Sequence, residues 1–65
     1  MDRATTDRNK QRFENTMRVL DYMEDIRDIW REAAPLQNLT EEQTEKLKKK
    51  IEKARKSLDK IEASL

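Results

Sequence analysis

The chain has no glycine, no cysteine and no histidine, and its only proline is Pro35. Without cysteine there is neither a disulfide framework nor a thiolate metal site to staple a small fold. Without histidine, Ser57 and Ser64 have no imidazole to activate them, and a bundle-type metal site loses its usual nitrogen ligand. The missing glycine rules out a phosphate-cradling loop. These absences argue against an enzyme and imply no cofactor and no small-molecule substrate. No apolar run approaches the roughly 20 residues of a membrane span, and Met1-Asp2-Arg3-Ala4-Thr5-Thr6-Asp7 lacks the apolar segment of a signal peptide. The expectation is a soluble, cytoplasmic protein without a membrane partner.

What is present is charge and helical periodicity. Charged residues make up 45% of the chain, yet 15 basic and 14 acidic side chains leave a net charge of only +1, so partners cannot be inferred from global attraction. With 65 residues and 34% apolar content, the chain forms one domain whose core supplies about 3–5 kcal/mol at most. Such a chain is expected to lean on a partner.

Pro35 divides two helix-patterned stretches. It removes a backbone donor and biases Ala34 away from helical geometry, so a helix arriving from the N-terminal side stops there. The pattern predicts an all-α, two-helix antiparallel hairpin spanning residues 1–65. Its first helix covers about residues 6–34, its turn 35–39 and its second helix about 40–64. Thr5, Thr6 and Asp7 are all competent N-caps for the first helix, and Met1 to Thr5 are expected to lie outside it. In the turn, Asn38 is the residue that best tolerates a left-handed conformation. Thr40-Glu41-Glu42-Gln43 reads as a capping box, reinforced by acidic residues where the helix dipole favours them.

Leu47, Ile51, Ala54, Leu58, Ile61 and Leu65 recur at alternating steps of four and three, a narrow coiled-coil seam on the second helix. The first helix instead fans its apolar residues over more than half its circumference. Val19, Met23, Ile26 and Trp30 are expected at the centre of that sector, Tyr22 and Ile29 on its flank, and Phe13, Met17 and Leu20 toward a different neighbour or a different part of the same one, where the hairpin register sets Met17 opposite Leu58 and Phe13 opposite Ile61. Folding about Gln37 and Asn38 sets opposite one another positions whose numbers sum to about 75, because both helices rise about 1.5 Å per residue. That register places Lys49, Lys50 and Lys53 beside Asp21, Glu24, Asp25 and Asp28.

One narrow helix cannot cover so wide an apolar sector. The expected function is therefore a non-enzymatic protein-protein interaction module. Two such hairpins would pair as a homodimer, an antiparallel four-helix bundle, and an exposed helix face would regulate or scaffold a protein partner. The protein-interface candidates are Val19, Tyr22, Met23, Ile26, Ile29 and Trp30. Arg3, Arg8, Lys10, Arg12, Arg18, Arg55, Lys56 and Lys60 lie toward the free end, and Asp28, Glu32, Glu41, Glu42 and Glu45 toward the turn. An antiparallel pair sets these opposite charges against each other.

Three other readings stand beside this one. The chain could be a small nucleic-acid-binding regulator contacting phosphate through Arg8, Lys10, Arg12, Arg55, Lys56 and Lys60. It could be an obligate subunit of a hetero-complex, ordered only on binding. The lysine- and glutamate-rich, glycine-free stretch 41–65 also looks like designed or redesigned helical sequence. The carboxylates Asp21, Glu24, Asp25, Asp28 and Glu32 recur at helical spacing opposite the apolar sector, where a solvated face is expected and no metal site. No family motif is evident, and the shape resembles the plasmid-type helical hairpins that dimerise into antiparallel four-helix bundles in architecture alone.

Overall fold

A computed structural model describes residues 3–65, and their side chains from Thr5 onward; Met1 and Asp2, where part of the expected N-terminal irregularity falls, lie outside the described residues. Helix α1 spans Arg3–Glu32 and helix α2 spans Glu41–Ser64, and the two pack against each other as a hairpin with extents of 51 × 16 × 13 Å. The all-helical hairpin expected from the sequence is present. No described helix is long and apolar enough to cross a membrane.

The boundaries follow local chemistry at three of four points. At the start of α2 the Thr40 hydroxyl accepts from the Gln43 amide at 3.1 Å, and the Gln43 side chain accepts from the Thr40 amide at 3.0 Å, completing the capping box. At the end of α2 the Leu65 amide closes the last turn on the Glu62 carbonyl at 3.1 Å. At the end of α1, the Ala33 amide reaches Ile29 and the Ala34 amide reaches only three residues back to Arg31, both at 3.2 Å. This tightened turn leads into a cis Ala34–Pro35 bond, and α1 ends at Glu32, short of residue 34.

Two expectations are corrected. Helix α1 begins at Arg3, so Thr5, Thr6 and Asp7 lie inside the helix; cap competence does not stop a helix whose upstream residues are themselves good formers, as Arg3 and Ala4 are. The left-handed residue of the turn is Gln37, with φ 52°, and not Asn38. Asn38 instead continues toward Leu39, which is half-buried, and the N-cap Thr40.

The contact line between the helices differs from the expected seam. On α2 it runs through Leu47, Lys50, Ala54, Ser57 and Ile61, at steps of three and four, with Ala54 and Ser57 each only 6% exposed. Ile51, Leu58 and Leu65 drop out of it and stand exposed. On α1 the matching line is Arg12, Asn15, Val19, Tyr22, Ile26, Ile29 and Ala33, and Ile29 is the most enclosed member at 8% exposure. The small side chains of Ala54 and Ser57 let α1 approach closely. The Lys50 stem lies along the seam while its ammonium reaches Asp25 at 2.8 Å and stands 5.9 Å from the Tyr22 ring centroid. At the free end, Arg12 donates from Nε to the Ser64 hydroxyl at 2.9 Å and from its terminal nitrogen to the Ser64 carbonyl, placing a cation at the C-terminus of α2. The pairs Asp25–Lys50 and Arg12–Ser64 fix the hairpin register at numbers summing to about 75 to 76, as expected from the helical rise.

A candidate interaction face built by both helices

With the seam set in this way, the two helices present different chemistry on the hairpin's two broad sides. Advancing about 100° per residue, α1 carries Phe13, Leu20, Met23 and Trp30 on one side of its seam line, with Met17 at its back. The same construction on α2 brings Ile51, Leu58 and Leu65 to that same side. A shallow apolar groove lined by Met23 and Ile26 from α1 and by Ile51, Ala54, Arg55 and Leu58 from α2 joins the two stripes. Phe13 is 62% exposed, Leu20 52%, Met23 51% and Leu58 51%. The larger apolar side chains therefore stand mostly outside the seam.

The opposite side is charged. Asp25, Asp28 and Glu32 from α1 face Lys46, Lys49, Lys50 and Lys53 from α2 across a second groove, with Ile29 at its floor. Acidic and basic groups are mixed there in nearly equal number, so the groove presents no field of a single sign. Two of its lysines are already engaged: Lys50 with Asp25, and Lys46 with Glu42 at 3.5 Å. No group of three or more acidic side chains among the described residues is arranged to hold a metal ion.

The six interface candidates divide between the seam and the uncovered face. Val19, Tyr22 and Ile29 turn toward α2, and Ile26 is half-buried between seam and groove. Met23 and Trp30 stand on the uncovered face with Phe13 and Leu20, which together with Met17 are expected from the sequence to point elsewhere. Ile51 and Leu58, assigned by periodicity to the hairpin seam, belong to this face as well. A second run of alternating three and four steps, Phe13, Thr16, Leu20, Met23, Arg27 and Trp30, was the sequence signal for it.

The six basic candidates are not gathered on one surface. Arg12 is committed to Ser64 and to the Asn9 side chain at 2.8 Å, Lys56 pairs with Glu52 at 3.3 Å, and Arg55 borders the apolar groove. By helical geometry Lys56 and Lys60 lie on the opposite side of α2 from Arg55, and Lys10 lies well away from Arg8 and Arg12 on α1. A phosphate backbone needs several contacts from one continuous face.

Comparison with protein-family models, with curated proteins and with solved structures finds no match to this chain.

Proposed function

We propose that the chain is a non-enzymatic protein-interaction module that works by pairing through its apolar face. Two hairpins meeting by this face form a four-helix bundle, a homodimer, in antiparallel orientation. The two charged grooves then remain on the outer sides, available to regulate or scaffold a further protein. The observation that carries this reading is the placement of Phe13, Leu20, Met23 and Leu58 with more than half of each side chain exposed, while the seam takes Arg12, Asn15, Lys50 and Ser57. A continuous apolar face of this kind on a small chain marks an interaction site.

Sedimentation equilibrium over a wide concentration range, with helicity followed by circular dichroism at each concentration, tests the reading. Doubling of mass with high helicity is the expected result. A well-folded monomer at every concentration would refute it.

A further inference from the structure

The apolar stripe of α1 has a two-fold pattern. Phe13, Thr16, Leu20, Met23, Arg27 and Trp30 read as aromatic, polar, aliphatic, aliphatic, polar, aromatic, the same in either direction. In an antiparallel seam built on steps of three and four, the two kinds of seam position alternate across the interface, so facing residues have numbers of constant sum. For this stripe that sum is 43. We propose that the apolar face is occupied by a second copy of the chain, lying antiparallel with α1 against α1. Phe13 of one copy then meets Trp30 of the other, and Leu20 meets Met23. This rests on the pairing reading above and adds its register.

Two symmetric ways of joining the faces are available, and the residues that α1 meets in each decide between them. If the dyad runs parallel to the helices, α1 lies over α2 of the second copy, with the turns at the same end. The hairpin register of about 75 then sets Phe13 on Glu62, Leu20 on Arg55 and Arg27 on Lys48. Apolar groups meet charges, and two cations meet each other. If the dyad runs across the helices, α1 lies on α1 and α2 on α2, with the turns at opposite ends. The aromatic and aliphatic layers of α1 then match as above. On α2 the facing numbers sum to about 107 to 109, which brings Ile51 to within about two residues of Leu58 and Lys48 beside Asp59 and Glu62 of the second copy. The Arg27–Lys48 opposition is removed, Arg55 comes near its own copy at the dyad, and the matched layers of α1 carry the choice.

The area also suits a second copy. The hairpin's broad side measures 51 × 16 Å, so a second copy can cover at most about 800 Å² per partner, the size of a standard stable interface.

The chain has no cysteine, so single cysteines report the register directly. Lys10 is exposed on α1, one turn before Phe13 at the outer margin of the stripe. Spin labels on a Lys10→Cys dimer are expected to lie about 35 Å apart along the bundle, because Lys10 is level with residue 33 of the other copy and the rise is about 1.5 Å per residue. Leu20→Cys and Met23→Cys chains, mixed in equal amounts and oxidised, are expected to give the mixed disulfide several-fold over either self-linked product. A dimer whose Lys10 labels lie within about 25 Å, roughly two helix diameters, or in which Leu20→Cys joins Arg55→Cys instead, overturns the register and leaves the pairing intact. A chain that stays monomeric overturns the pairing itself.

Discussion

Leu20 and Ile29 are nine residues apart on one helix, yet truncating them should act on different equilibria. Leu20 is 52% exposed in the hairpin. Fully burying a leucine side chain contributes about 1.5–3 kcal/mol, so the half still exposed is worth about 1 kcal/mol when a second copy covers it. Each dimer contains two copies, and Leu20→Ala should therefore weaken association by about 2 kcal/mol, or roughly 30-fold in Kd. The isolated hairpin should keep its helicity, because alanine is the better helix former of the two. Ile29 is 8% exposed, and Ile29→Ala removes a filled position from the seam at a cost of about 2–5 kcal/mol. That is comparable to the whole stability of about 3–5 kcal/mol available to a core of this size, so Ile29→Ala should lower helicity itself. Sedimentation equilibrium reads the first effect and circular dichroism the second. If Leu20→Ala leaves the association constant unchanged, or reduces helicity at high concentration as much as Ile29→Ala does, the division into seam and outward face is wrong.

Three further substitutions probe the hairpin. Thr40→Ala removes half of the capping box and should cost about 1 kcal/mol, lowering Tm by roughly 4–8 °C; an unchanged Tm in a thermal melt would show that the box adds nothing to stability. Gln37→Gly relieves a left-handed residue that costs about 1–2 kcal/mol and gives back part of this through the freer unfolded chain, for a net gain of about 0.5–1 kcal/mol. A lower urea midpoint for that variant would refute the strain argument. Asn15 has a buried side-chain oxygen with no hydrogen-bond partner, and Asn15→Leu should stabilise the hairpin by about 1–3 kcal/mol, seen as a higher urea midpoint at unchanged slope; a loss of stability would mean the amide is paired in solution.

The features legible in the sequence were the local ones. Thr40 and Gln43 satisfy each other across three residues, so their chemistry is complete without reference to the rest of the fold. The helical rise, together with a turn near Gln37, likewise sufficed to bring Asp25 to Lys50. What the periodicity left undetermined was how a broad apolar sector is shared between two neighbours. Leu47, Ile51, Ala54, Leu58 and Ile61 do share one side of α2, but a rotation of some tens of degrees decides which of them enter the seam. That rotation depends on a pair of small residues, Ala54 and Ser57, that allow close approach, and on the Asp25–Lys50 pair that holds the helices in that setting. None of these is conspicuous on a hydrophobicity pattern. The left-handed residue escaped detection for a related reason: intrinsic tolerance favours Asn38, while the bend falls at Gln37, two residues after the Ala34–Pro35 bond.

The division of side chains between seam and outer face also bears on how folding and pairing are linked. The seam carries Arg12, Asn15, Tyr22, Lys50 and Ser57 among its members, and Ile29 and Ala54 are the buried apolar residues among those described. A hairpin with so few enclosed apolar groups gains little on its own, whereas covering Phe13, Leu20, Met23, Trp30, Ile51 and Leu58 removes much more apolar surface from water. On the proposed pairing, most of the stabilisation arrives with the second copy, and the thermal midpoint must rise with protein concentration by mass action. Leu20→Ala should lower that midpoint most at high concentration, where the dimer dominates, and little at low concentration, where each hairpin stands alone. A midpoint independent of concentration over a hundredfold range would show that the seam alone holds the fold, and the apolar face would then have to belong to a different partner.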